Sequence, residues 1–307
     1  MRRVARGALA LLAAFGLAAS RRRGGAVRIV RISRVVADLD RSVAFYREGL
    51  GFEVVSRGPG DPALHALLGL PGAASEEAVM RLGAEKIALV RFDPPGAPYP
   101  AGSRSNDLWF QHLAIVVDDM AAAWRQLAAQ SPRPISTNGP ERLPPRNGAV
   151  TAVKFRDPDG HPLELIQFPP GQGRPVWQQA AGAGSGPFLG IDHSAVAVAS
   201  TARSLRFYRR LGFRVAARSW NDSPAQSRLD RLPGARVRVT GLRPSGEGPG
   251  LELLRYLPPG RPAPAVPANA LLTDWVTLSG HPVGPRRDLV GPRRDPDGHR
   301  VLLTDGH

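Results

Sequence analysis

Along residues 112–168 the apolar positions alternate, then recur at helical spacing, then alternate again. In HLAIVVDD, His112, Ala114, Val116 and Asp118 share one face of a strand, and Leu113, Ile115 and Val117 share the other. DDMAAAWRQLAAQ follows, with Met120, Trp124 and Leu127 spaced four and three apart behind a capping Asp118 or Asp119, which predicts a helix packed by that stripe. After the loop SPRPISTNGPERLPPRNG come VTAVKF, the turn RDPDGH and PLELIQF. In Asp157-Pro158-Asp159-Gly160, proline presets the first central angle and glycine takes the positive φ of a hairpin. The expected order is strand, helix, strand, strand, strand, a βαβββ module of an α+β fold. Glu164 falls inside its last strand, where a carboxylate is costly unless paired or bound to a metal.

The same pattern recurs. Residues 27–92 read as VRIVRISRVV, DLDRSVAFYREGLGF and strands ending in KIALVRF; the helix presents Val43, Tyr46 and Leu50 and stops at Gly49 or Gly51. Residues 189–257 repeat it, and the pair RSVAFYREGLGF and RSLRFYRRLGF reads as an internal repeat. LLTDWVTLS and a second RDPDGH, Arg294 to His299, mark a fourth module. Its interval from Asp274 to Asp295 is less than half that from His112 to Asp157, too short for a helix and one strand. Three complete modules and one truncated module are therefore expected. They divide into a half at 27–168, a Pro/Gly/Gln-rich linker at 169–188, and a half at 189–307.

A histidine opening the first strand, a glutamate three residues after a DPDGH turn, and the βαβββ order together resemble the vicinal oxygen chelate superfamily. That superfamily includes glyoxalase I, extradiol dioxygenases and bleomycin-resistance proteins. The resemblance spans residues 27 to 304. It implies modules paired into open barrel-like sheets, with a divalent metal held by side chains of first and last strands.

The helix cap lies seven positions after the candidate ligand: His112 precedes Asp119 and His193 precedes Ser200, while the same count from Asp38 reaches Arg31. On last strands, Glu164 of LELIQF matches Glu252 of LELLRY, whereas module one offers Ala88 and module four Leu302. If modules two and three pair, as four-module glyoxalases imply, His112, Glu164, His193 and Glu252 form one site suited to Zn²⁺, Mn²⁺, Fe²⁺ or Ni²⁺. The site between modules one and four would then be dead. If modules pair in sequence order, each barrel has one His and one Glu, and a metal-free small-molecule binder of the bleomycin-resistance type is the reading. A paired site would make the protein a lyase, isomerase or ring-cleaving dioxygenase acting on a small vicinal-oxygen substrate, with Glu164 or Glu252 moving the proton. For a binder, Tyr99, Trp109, Trp177 and Trp220 are the candidate cleft aromatics. His161 and His299 read as turn residues.

Composition changes this picture little. The 307 residues carry a formal net charge of +15, but the basic residues are almost all arginine spread along the chain, so no nucleic-acid partner is expected. Residues 1–20, MRRVARGALALLAAFGLAAS, have a basic start, an apolar run Ala8 to Ala19 and a small-residue ending, the pattern of an export signal too short for a stable membrane anchor. A periplasmic or extracellular location follows, or a cytoplasmic one if the segment is not a signal, although Arg21-Arg22-Arg23 after the cleavage point opposes export. Glutathione-dependent chemistry suits an exported chain less well. The absence of cysteine is neutral.

Overall fold

The computed structural model describes residues 26–182, 186–280 and 291–304; the expected export signal lies outside them. Module one runs β1 (Arg28–Val35), α1 (Leu39–Ala44), β2 (Glu53–Pro59), α2 (Pro62–Leu67), β3 (Ala74–Leu82) and β4 (Glu85–Asp93). Its helix passes into a π-helical turn at Phe45–Gly49, and the chain reverses at Gly51, φ 71°. Module two runs β5 (Gln111–Val117), α3 (Met120–Ala128), the short β6 (Arg133–Pro134) and β7 (Glu141–Arg142), then β8 (Thr151–Arg156) and β9 (Pro162–Gln167). Its second strand is interrupted between β6 and β7, where Ile135 N and Ser136 N both donate to the Lys154 carbonyl and Thr137 N turns away to the Arg228 carbonyl.

The stretch 169–188 carries a helix, α4 (Pro175–Ala180), whose Trp177 is buried against the sheet. Module three runs β10 (Phe188–Ala197), α5 (Thr201–Arg210), β11 (Arg214–Asn221), α6 (Pro224–Asp230), β12 (Val237–Arg243) and β13 (Gly250–Tyr256). The described residues of module four form β14 (Asp274–Ser279), β15 (Gly291–Arg294) and β16 (Arg300–Thr304).

Two mixed sheets result. One is ordered β15-β16-β14-β1-β4-β3-β2, and the other β11-β12-β13-β10-β5-β9-β8-β6, with β7 on β8. Modules two and three therefore share a sheet across the antiparallel pair β5/β10, and modules four and one share the other across β14/β1. The alternation read from the sequence decides the faces. Leu113, Ile115 and Val117 meet Met120, Ala123 and Leu127 of α3 in the main core, while Ala114 and Val116 face the other way.

The two DPDGH turns bind each sequential pair of modules. Asp157 Oδ1 accepts the backbone N–H groups of Asp159, Gly160 and His161, and its Oδ2 accepts from the Tyr46 hydroxyl of module one at 3.1 Å. Asp159 accepts from Ala37 N and Ser42 Oγ at the start of α1. The second turn repeats this: Tyr208 donates to Asp295, and Ala199 N to Asp297. His161 and His299 are structural members of these turns, bonded to the carbonyls of Leu271 and Ala197. Gly160 (φ 104°) and Gly298 (φ 102°) supply the positive angle in each.

Candidate metal centre and cleft

Strand register puts all four expected site residues on one face. Ala114 pairs with Glu164, Ala195 with Glu252, Ala195 with His112, and Ala114 with His193. Residues paired across strands, or two apart along one, project to the same side. The two histidines thus lie diagonally across the seam between modules, with ring centroids 5.7 Å apart and planes at 65°. One donor atom each from His112, Glu164 and His193 lies within 4.8 Å of the others. His112 Nε2 is 2.7 Å from Glu164 Oε2. Glu252 stands just outside that trio, its Oε2 3.5 Å from His193 Nε2 and its side chain 29% exposed.

A carboxylate fixes the orientation of His193. Its Nδ1 lies 3.0 Å from Asp192 Oδ2, and Asp192 also accepts from Trp177 Nε1 at 2.8 Å and Arg243 Nη2 at 3.1 Å. His193 Nε2 is left buried without a hydrogen-bond partner, as is His112 Nδ1. Two imidazoles, a carboxylate and an orphaned buried ring nitrogen fit a borderline divalent cation, whose histidine ligands characteristically hold a carboxylate on the other nitrogen. The residues able to hold such an ion are His112, Glu164 and His193, with Glu252 beside them.

A family model described as the Glyoxalase/Bleomycin resistance protein/Dioxygenase superfamily matches residues 28–165. A 2-epi-5-epi-valiolone epimerase from Actinomyces sp is 32% identical over 155 residues, 48% of this chain and 82% of that protein. A lactoylglutathione lyase from Salmonella typhimurium is 30% identical over 146 residues, 46% of this chain and 93% of that one. The chain belongs to the glyoxalase/bleomycin resistance/dioxygenase superfamily. Among solved structures, glyoxalase I from Zea mays overlays with a TM-score of 0.60 at 18% identity, covering 91% of this chain and 92% of that one. A putative dioxygenase from Bacillus subtilis overlays at 0.52 and 13% identity, covering 90% and 84%. These two show a shared fold.

Within this glyoxalase-like chain, burial and neighbouring charge set the ionisation of the cleft. Burial pushes His112 down to about 4, so it is neutral at pH 7. Burial acts on His193 in the same sense but is outweighed by Glu252 and Asp192, which lift it to about 9. Glu164 is held down to about 2 against the effect of burial, by Lys154 and then His112. Burial raises Glu252, with His193 opposing.

The remaining cleft residues were not singled out from the sequence. The cleft measures about 390 Å³ and has apolar walls from Leu143, Val150, Ile166 and Leu229. Lys154 on β8 enters it beside Glu164; its ammonium bonds Asp230 Oδ1 of α6 at 2.7 Å and stays charged, because Asp230 and Glu164 outweigh burial. Asp230 also accepts from Gln226 and Tyr256. The signal for Lys154 was countable: a hairpin closing on Asp157 to His161 pairs Arg156 with Pro162, hence Lys154 with Glu164. None of Tyr99, Trp109, Trp177 and Trp220 lines this cleft. Trp177 instead supports Asp192 from beneath.

The corresponding face of the other sheet is filled. Ser33 pairs with Ala88 and Thr277 with Leu302, so Arg31 and Trp275 stand where His193 and His112 stand in the site. Trp275, Ala88 and Leu302 join Leu64, Phe92 and Leu271 in an apolar cluster. Arg31 bonds Glu77 at its margin.

Proposed function

We propose that this glyoxalase-like protein is a divalent-metal lyase or isomerase acting on a small substrate with oxygens on neighbouring carbons. The convergence of His112, Glu164 and His193 from two modules, with Glu252 beside His193 and outside the trio, carries the reading. A bound divalent ion would supply Lewis-acid polarisation of a substrate oxygen. Glu252, open to the cleft and raised in basicity by burial, takes the proton from the adjacent carbon and returns it. Asp192 keeps His193 in one orientation, and the walls from Leu143, Val150, Ile166 and Leu229 exclude water from the reacting carbon. An epimerase and lyases among the relatives fall in the same reaction classes. Residues 1–20 belong to the reading as an export signal; secreted protein retaining Met1 by intact mass would remove that element.

The two-histidine, one-glutamate trio is also the facial triad of Fe²⁺ oxygenases, which favours ring-cleaving dioxygenation as the second reading. The test is NMR in D₂O of α-hydroxy ketones and aldehydes with protein loaded with Zn²⁺, Mn²⁺ or Ni²⁺. Metal-dependent exchange of the carbon-bound proton supports the first reading. Oxygen uptake with catechols and Fe²⁺, without exchange, supports the second, and neither activity in a protein that takes up no metal leaves a binding protein.

A further inference from the structure

We propose that Lys154 is a catalytic residue of this cleft, donating a hydrogen bond to the substrate oxygen that becomes negative when the neighbouring carbon loses its proton. The inference rests on the lyase or isomerase reading and adds a second, protein-borne cation to it.

Three observations converge. First, Lys154 and Glu164 are directly paired across β8 and β9 and so share the site face, and Lys154 borders the cleft together with His112, His193 and Glu252. Second, an ammonium has three donors, and among the described residues this one has a single acceptor, Asp230. Two donors remain for a ligand in an otherwise buried position, 3% exposed.

Third, the molecule contains its own control. The positions opposite Ala88, Glu252 and Leu302 on the other three hairpins hold Val79, Gly241 and Pro292, so the strand pairing has no need of a lysine. The clamp around it is likewise confined to the site. Counted from the caps Asp61 and Ser223, Gln226 and Asp230 of α6 correspond to Leu64 and Leu68 of the α2 segment. Tyr256, four residues after Glu252, corresponds to Phe92, four after Ala88. On the other sheet the same corner is therefore leucine, leucine and phenylalanine, packed with Trp275 and Leu302. A buried ion pair is no more stabilising than well-packed apolar residues of similar size. Stability does not account for exchanging that corner for Lys154, Asp230, Gln226 and Tyr256 only where two histidines face the cavity.

A fixed cation held in so buried a position acts where charge develops and needs no reorganisation. In the step, the C–H bond breaks and its electron pair forms a double bond to the carbonyl carbon, the C=O π pair moves onto the oxygen, which takes the negative charge, and the proton goes to the Glu252 carboxylate. Lys154 donates to that oxygen and keeps its own proton. Glu252 then returns its proton to carbon; nothing is oxidised or reduced.

Oxalate, a planar anion with oxygens on adjacent carbons, is the probe. Calorimetry would measure Zn²⁺ binding to the full chain, then oxalate binding to the zinc-loaded protein, for wild type, K154M and the double variant K154M/D230L, which installs the leucine found at Leu68. Both variants should bind Zn²⁺ no more weakly than wild type, and oxalate roughly 10- to 100-fold more weakly, the scale of one charge-assisted hydrogen bond. K154R should recover part of the loss. If K154M does not fold, the double variant alone decides. Unchanged oxalate affinity in a folded, zinc-binding variant would show a purely structural pair and overturn this proposal alone. A wild-type chain that takes up no Zn²⁺ would overturn the metal reading and this inference with it.

Discussion

The imidazole of His193 is held by Asp192, its neighbour in sequence, at 3.0 Å, and Asp192 is in turn held by Trp177 from the segment joining the two halves. The connection therefore orients the candidate metal centre. Asp192→Asn keeps the shape but weakens the acceptor, and should lower zinc affinity about 10- to 100-fold, the range for carboxylates behind ligating histidines. Trp177→Phe, which leaves Arg243 in place, should lower it less. Competition against a chromophoric chelator checks both; equal affinity in all three proteins would mean that Asp192 has no part in orienting the ligand.

The filled face of the other sheet predicts a separation of stability from metal binding. Trp275 is buried among Phe92, Leu271 and Leu302 where the site has a histidine. Trp275→Ala should cost about 3–5 kcal/mol in chemical denaturation, with zinc stoichiometry unaltered. A change in stoichiometry would place a second metal on that face.

The turn that binds modules one and two should appear in the acid limb of stability. Asp157 is buried, which would raise its pKa, but His161 and then Arg34 hold it down to about 2. A carboxylate depressed in the folded state contributes stability above its unfolded pKa of about 3.9 and loses it as pH falls toward 2. Between pH 5 and pH 2 the wild type should lose on the order of 2 kcal/mol more than Asp157→Asn. His161 acts in the opposite sense: its raised pKa gives stability present below about 6.5 and lost as pH rises through the folded value. Parallel acid limbs in urea titrations of the two proteins would contradict the role given to Asp157.

Local chemistry made much of this legible in the sequence. The DPDGH turns fixed hairpin registers, the alternation around Leu113, Ile115 and Val117 fixed which face packs on the helix, and the seven-residue step to the cap located His112 and His193. Pairing of the modules is not legible in the sequence, because the segment 169–188 can reach either partner; the β5/β10 and β1/β14 ladders are decided by long-range packing. The inward role of Trp177 was hidden for the same reason, since its partner Asp192 follows a stretch rich in Pro and Gly that reads as a loop. Lys154 is one of two lysines among many arginines, and its charge alone does not mark it. Its position opposite Glu164 could have been counted, but its clamp on α6 belongs to another module.

Zinc titration of the full chain, with stoichiometry by elemental analysis, tests the composite centre most directly. One equivalent should bind wild type tightly, and both His112→Ala and His193→Ala should lose it although the two residues lie in different modules. Full retention of zinc by either folded variant, or a wild-type chain that takes up none, would contradict a single site shared between modules two and three.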